Sequence, residues 1–201
     1  MTPEAFSSLV GGALFHITAT GNAEGIARHG LRPAAVSARA VGVNPAAIAL
    51  RADRRVITGS SGQTVLNHQR PLRMGARAHF LDGHTLVSWA RQLDERVFFW
   101  PAGRGKNFAA SMPKDVVTYR LDAGRFYAVL CDQIDLSPIN SGNAARRPAR
   151  RGDWLYVPAR AGVEAFRENR RQRGLKKGRD AVAEVSVRAA IPAAQLEPLL
   201  A

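Results

Sequence analysis

The clearest hydrophobic and polar pattern lies near the start of the chain, in LFHITATGNAEGIARHGLRP over residues 14–33. Leu14–Thr18 combine apolar and β-prone side chains and predict a strand. Side chains alternate across a strand, so His16 and Thr18 share one of its faces. The pattern therefore predicts a strand that presents two hydrogen-bonding side chains together just before a turn.

A short helix is predicted directly after this strand. Asn22 stands where it can cap the helix, Glu24 suits the first turn, and Gly30 suits the end. Residues 33–63 are interrupted by Ala, Gly and Pro, so we expect irregular structure there, with a short strand around Val56–Ile57.

The later segments alternate between helical and strand patterns. Apolar residues at helical spacing predict an amphipathic helix over His84–Glu95, and the charged segment 162–173 also predicts a helix. Further strands are predicted over 96–100, 116–121, 134–136, 154–157 and 181–187, with a closing helix or turn over 192–200. Short strands mixed with short helices in no regular order indicate the α+β class. We expect one domain over residues 1–201, with a split or mixed sheet flanked by short helices.

The composition is that of a globular protein, with 46% hydrophobic and 22% charged residues. The single cysteine, Cys131, excludes an internal disulfide, and no Cys/His cluster has the spacing of a zinc site, so no metal is expected. The first residues lack a basic region and include Glu4, and no apolar run reaches membrane-spanning length. These features predict a cytoplasmic protein with no membrane partner.

The charge of the chain favours a polyanionic partner. Lys and Arg number 29 against 16 Asp and Glu, a net charge of +13. Residues 146–179 hold twelve of the basic residues and three acidic ones, with Trp154 and Tyr156 among them, which suits unpaired nucleic acid. The alternatives are a solvated helix face and, for the overall charge, a genomic bias toward arginine codons. The nucleic-acid-binding candidates are Arg150, Arg151, Trp154, Arg170, Arg171, Lys176 and Lys177.

Four sequence islands resemble a known family. FHITATGNAEGIARHGL (15–31) resembles the N-terminal motif of DarT-type ADP-ribosyltransferases. ERVFFW (95–100), SPINSG (137–142) and RGDWLYVP (151–158) look like a DarT-related bacterial family of unassigned activity. The resemblance extends from about residue 14 to 192 and implies an ADP-ribosyltransferase-like fold with NAD as substrate.

The resemblance also implies which residues contact NAD. His16 and Thr18 match the NAD-contacting pair of the first strand, and Asn22 matches the asparagine of the following turn. Phe98 and Trp100 are candidates for stacking on nicotinamide or adenine. The alternatives are a core histidine, an ordinary strand threonine, a helix cap and core aromatics.

One glutamate and one arginine are implied to act in the reaction. Glu184 in AVAEVSVRAAIP (181–192) matches the family's catalytic glutamate, and Arg70 is chosen over Arg54 or Arg55 as the arginine near the NAD phosphates. Transfer of ADP-ribose passes through an oxocarbenium-like transition state, and nicotinamide leaves as a neutral group, so one carboxylate suffices. From its pattern alone, Glu184 is better explained as an outward-facing strand residue paired with a nearby arginine, and the family resemblance reverses that preference.

We therefore expect an NAD-dependent ADP-ribosyltransferase that modifies DNA or RNA, with a toxin or defence role as one implication. The protein is expected to be a monomer, and an antitoxin is left open. Two alternatives remain at this point: a nucleic-acid-binding module on a degenerate transferase fold, and a transferase that acts on protein.

Overall fold

The computed structural model describes residues 1–60, 62–74, 79–110, 115–145, 149–175, 178 and 180–201, with the backbone alone at 106 and 109. Its strands are β1 (Ala13–Ala19), β2 (Arg55–Gly59), β3 (Gly62–Leu66), β4 (Val97–Pro101), β5 (Val116–Asp122), β6 (Ile134–Ser137), β7 (Val157–Pro158) and β8 (Glu184–Val187). Its α-helices are α1 (Pro3–Val10), α2 (Ala23–His29), α3 (Ala34–Ala40), α4 (Arg70–Arg73), α5 (Leu86–Asp94), α6 (Ala102–Ala110), α7 (Ala123–Leu130), α8 (Gly162–Gln172) and α9 (Ala193–Leu196). The candidate residues Lys176 and Lys177 lie outside the described residues.

Six strands form one sheet in the order β5-β1-β4-β8-β6-β7, and β2 and β3 form a separate hairpin. The α+β class is confirmed. The expectation of a mixed sheet is wrong for these strands, because each pairing between them is antiparallel. The one parallel bridge among the described residues, Leu81–Arg151, lies outside the strands.

The sheet divides around β4. The last part of β4 pairs with β1 through Leu14–Pro101 and Phe15–Trp100, whereas its first part pairs with β8. The pairing between β1 and β4 ends before His16, whose imidazole instead contacts the main-chain oxygen of Phe98. A gap therefore opens in the sheet beside His16.

Three local predictions need correction. The segment 33–63 is more regular than expected: α3 forms because its four alanines favour a helix, and Ala35 and Ala38 are buried. The strand expected over 154–157 begins only at Val157, after a 3-10 turn, and the strand expected over 181–187 begins at Glu184. These corrections place Glu184 at the very start of β8.

The apolar core covers one face of the sheet. Leu14 of β1, Phe99 of β4 and Val185 of β8 are fully buried there against Phe126 of α7. A second cluster surrounds Trp89 of α5. In the described part of the chain, no helix combines the length and the apolar character needed to cross a membrane.

Candidate functional site

A cleft of about 720 Å³ collects six of the seven residues predicted to act on NAD. They come from β1, from the turn after it, and from β4 and β8, namely His16, Thr18, Asn22, Phe98, Trp100 and Glu184. A smaller cavity adjoins it and shares His16, Thr18, Asn22 and Arg32, so the cleft continues toward the end of α2. The volume lies in the range of small-molecule sites.

Glu184 is the buried carboxyl group of this cleft. It is 3% exposed, and the Ser141 hydroxyl donates a hydrogen bond to its Oε1 over 2.6 Å. Burial raises the pKa of Glu184 to about 7, against the opposing effects of the Ser141 hydrogen bond and of the charges on Arg96 and Arg151. The carboxyl group therefore exchanges its proton near neutral pH, as a catalytic carboxylate often does.

Ser141 is held in place by two buried side chains. The indole N–H of Trp89 donates to the Ser141 carbonyl over 3.2 Å, and Arg151 Nε donates to the same oxygen over 3.0 Å. Arg151 Nη2 also donates to the carbonyls of Asn140 and Asn143, over 3.1 and 2.5 Å. The loop that presents the Ser141 hydroxyl to Glu184 is thus fixed by its own backbone oxygens.

Arg151 consequently cannot have the role predicted for it. It is 1% exposed and its guanidinium is occupied by main-chain carbonyls, so it has no free surface for a phosphate. Burial lowers its pKa, and the charge of Glu184 acts in the opposite direction. Arg151 is a positioning residue for the Ser141 loop.

His16 has a defined tautomer. Its Nδ1 lies 3.0 Å from the Phe98 carbonyl oxygen, which only accepts hydrogen bonds, so Nδ1 carries the proton. Burial lowers the pKa of His16, with the Phe98 contact opposing that effect, which favours the neutral ring. Nε2 is then an acceptor, suited to a hydroxyl donor such as a ribose.

Asn22 connects β1 to the hairpin. Its amide donates to Thr18 Oγ1 over 2.8 Å and to the Val65 carbonyl over 3.0 Å, and it accepts from the Val65 N–H over 2.7 Å. The predicted capping hydrogen bond is wrong, because Asn22 precedes α2 but its side chain pairs with β3 instead. The Thr18 hydroxyl accepts from Asn22 and keeps its own proton for donation.

Phe98 and Trp100 share one face of β4, and both are partly exposed in the cleft. Trp100 packs against Phe108 of α6 with 4.7 Å between ring centroids. Phe99 between them is fully buried on the opposite face. The alternation along β4 therefore separates two aromatic cleft residues from one core residue.

The arginine chosen from the sequence stands at the border of the cleft, since its neighbours Gln69 and Pro71 line the cleft. Arg70 does not line the cleft: it is exposed and pairs with Asp53. Arg54 lines the cleft and pairs with Asp115, whereas Arg55 donates to the Ala47 carbonyl.

Three arginines that were not candidates from the sequence also line the cleft, namely Arg32, Arg51 and Arg96. Arg96 pairs with the buried Asp135. Arg51 is bound to Asp94, with 2.9 Å between Nη1 and Oδ1. Arg32 lines both cavities and makes no hydrogen bond or ion pair with the described residues. In the sequence, Arg32 could have been identified from its position directly after Gly30 and Leu31, at the end of α2.

The other nucleic-acid candidates are less available than their charges suggest. Arg170 is buried and donates to the Ala181 carbonyl, and Arg171 pairs with Glu168 one turn before it on α8. Arg150 is exposed and pairs with Asp82, while Trp154 is 39% exposed. Arg150, Arg171 and Trp154 are thus the exposed residues among the described candidates, and both arginines carry an ion pair at the surface.

Among the described residues, no group of three or more His, Cys, Asp or Glu side chains has a geometry that could hold a metal ion. A family model with the description "Family of unknown function (DUF7002)" matches residues 12–196. No curated protein and no solved structure matches the chain.

Proposed function

Because the chain belongs to the DUF7002 family, whose function is unknown, we propose an activity from the cleft itself: NAD-dependent transfer of ADP-ribose to nucleic acid. The observation that carries the proposal is a buried glutamate, Glu184, in the same cleft as the hydrogen-bonding pair His16 and Thr18. The resemblance to DarT-type enzymes supplies the reaction class, and the geometry supports it.

Glu184 supplies the negative charge that this reaction needs. Cleavage of the bond between nicotinamide and ribose builds positive charge on the ribose, and the nicotinamide leaves with the bonding electron pair as a neutral molecule. A carboxylate in a water-poor site stabilises that charge more strongly than one in solvent. The acceptor then bonds to the ribose carbon and loses its proton, for which Glu184, with a pKa of about 7, is a suitable base.

The side chains of β1 would orient NAD in the cleft. The neutral His16 ring offers Nε2 as an acceptor and the Thr18 hydroxyl offers a proton, so the two complement the hydroxyl and amide groups of NAD. Phe98 and Trp100 offer partly exposed rings against which a flat nicotinamide or adenine can stack.

Arg32 is the arginine we assign to the NAD phosphates in place of Arg70. It lines the shared part of the two cavities and has no carboxylate partner among the described residues. A guanidinium without an internal partner is available to an anion, whereas Arg51 is already bound to the buried Asp94.

The experiment that tests the proposal follows the fate of ADP-ribose. Purified protein is incubated with NAD that carries radioactive phosphorus in its adenylate phosphate, together with separate pools of DNA, RNA and protein. We expect label on the DNA or RNA pool, and its loss in Glu184→Gln. Glu164→Gln is the matched control, because Glu164 is an exposed carboxylate that pairs with Arg167.

Each other outcome has a distinct meaning. Label on the protein pool alone refutes the nucleic-acid acceptor and leaves a transferase acting on protein. Binding of NAD with no transfer to any pool refutes the enzymatic proposal and favours the degenerate, nucleic-acid-binding alternative.

A further inference from the structure

A separate cavity of about 550 Å³ lies beside the last turns of α8. We call it the second cavity, to distinguish it from the cleft and from the smaller cavity that adjoins the cleft. Arg150, Trp154, Asn169 and Arg173 contribute to its lining. None of its described lining residues lines the first cleft, but Ile139 borders the second cavity and Asn140 the first. The two cavities therefore flank the same loop, the one that carries Ser141.

Trp154 is held rigidly at this cavity while much of its ring stays exposed. Its indole N–H donates to Asp82 Oδ2 over 3.2 Å, and the guanidinium carbon of Arg173 lies 3.3 Å from its ring centroid. A Cβ on Gly152 would lie 2.7 Å from the indole nitrogen, so glycine is required for this packing. A fixed, exposed indole is a surface on which a nucleobase can stack without loss of side-chain entropy.

Arg173 brings a positive charge that the described residues do not neutralise. Its Nη2 donates to the Trp154 carbonyl over 3.0 Å, and no described carboxylate lies within ion-pair distance. Burial lowers the pKa of Arg173 to about 10, with Asp82 opposing the effect, as expected for a cation poor in counter-charge. Arg173 was not among the predicted nucleic-acid-binding residues.

Asn169 adds an acceptor that lacks a partner. Its amide nitrogen donates to the Trp154 carbonyl over 2.7 Å, while Oδ1 is buried and has no hydrogen bond to the described residues. A buried carbonyl oxygen without a donor costs about 1–3 kcal/mol. The amide of Asn169 is held by the Trp154 backbone, which adds to the fixed position of Trp154.

We propose that this second cavity holds one unpaired nucleotide of the nucleic-acid acceptor. The base lies against Trp154, and the phosphate binds Arg173 and Arg150. Arg150 can turn from Asp82 to a phosphate because an exposed ion pair contributes little to stability. That the bound nucleic acid is the acceptor of ADP-ribose rests on the proposed function. That this cavity binds a nucleotide does not.

The proposal is tested with short fluorescent oligonucleotides and the full chain. Fluorescence anisotropy gives the affinity for single-stranded DNA, single-stranded RNA and a duplex of the same length. We expect Trp154→Ala and Arg173→Gln each to weaken single-strand binding about tenfold. Trp154→Phe should retain most of the affinity. Arg171→Gln is the matched control, because Arg171 lies two residues before Arg173 and does not line this cavity.

Further measurements in the same experiment identify the ligand. They also distinguish a failure of this inference from a failure of the proposed function. If adenosine monophosphate binds as tightly as the single-stranded oligonucleotide, the assignment of this cavity to single-stranded nucleic acid is overturned. A preference for the duplex would overturn it as well. Unchanged strand binding in both Trp154→Ala and Arg173→Gln, with the variants folded by circular dichroism, refutes the site. The NAD-induced rise in melting temperature is measured on the same proteins: its absence in the wild type, with strand binding still sensitive to Trp154, refutes the transferase and leaves this site standing.

Discussion

Replacing Glu184 with glutamine should stabilise the protein and abolish its chemistry together. Glutamine keeps the size of the side chain and still accepts the hydrogen bond from Ser141, over the 2.6 Å that now joins Ser141 Oγ to Glu184 Oε1. It removes the charge that burial disfavours. The substitution therefore separates the cost of the carboxylate from its function.

The size and sign of the stability effect follow from the pKa. Raising the pKa of Glu184 from its ordinary 4.5 to about 7 corresponds to about 3 kcal/mol of unfavourable folding free energy once the group is ionised. Between these pH values the folded protein binds more protons than the unfolded chain, so stability falls as pH rises. The cost is absent below pH 4.5 and complete above pH 7.

Urea unfolding of the wild type and of Glu184→Gln, below pH 4.5 and above pH 7, measures this effect. We expect the variant to gain up to about 3 kcal/mol relative to the wild type between the two conditions. Asp94, whose burial raises its pKa to about 6, is present in both proteins, so its titration cancels in the comparison. A difference that does not change with pH would show that Glu184 is solvated, and the argument from burial would fail.

The activity of the same variant completes the test. Loss of a preorganised charge at the reacting centre costs about a hundredfold or more in rate, while ground-state NAD binding should change little. Transfer at nearly the wild-type rate would refute the catalytic role, and Glu164 and Glu168 on α8 would then be the next carboxylates to test.

Further outcomes follow from the cleft. His16→Ala should abolish the rise in melting temperature that NAD produces, with the circular dichroism spectrum unchanged; an undiminished shift contradicts the assignment of β1. Arg32→Gln should weaken NAD binding about tenfold in calorimetric titration, whereas Arg70→Gln should not, and the reverse result would restore the choice made from sequence. Transfer by the wild type should rise with pH through about 7 as Glu184 ionises, with no second inflection from the neutral His16; a rate that is flat across this range excludes Glu184 as the titrating group.

Local patterns predicted the elements that line the cleft because the relevant signals lie within a few residues of each other. The alternation of β1 placed His16 and Thr18 on one face, and the structure finds both in the cleft. The same alternation in β4 separates Phe98 and Trp100 from the buried Phe99. The alternation of side chains along a strand follows from backbone geometry alone, so it can be predicted without knowing which strands pair.

Pairings across the fold were not predictable in the same way. Nothing near Asn22 in the sequence indicates that its amide binds the backbone of Val65, and the capping role was the better local hypothesis. The position of Arg70 was not predictable for the same reason: its partner Asp53 and its neighbours Gln69 and Pro71 line the cleft, whereas Arg70 does not. Long-range contacts of polar side chains are set by the whole fold, which a local pattern does not contain.

The basic segment shows why net charge overstates a binding surface. Charge counts treat every arginine alike, yet Arg151 and Arg170 are buried against carbonyl oxygens and Arg171 is paired on its own helix. A polyanion gains from a cation only where the cation is accessible and its present partner is weakly held. Arg150 and Arg173 meet this condition and also line the cavity beside Trp154, whereas Arg171 does not line it. The proposed nucleic acid would therefore meet the Ser141 loop at Ile139, which borders that cavity. Arg151 holds this loop by its backbone oxygens, and the Ser141 hydroxyl on the same loop donates to Glu184, so the loop is the element that the two sites share.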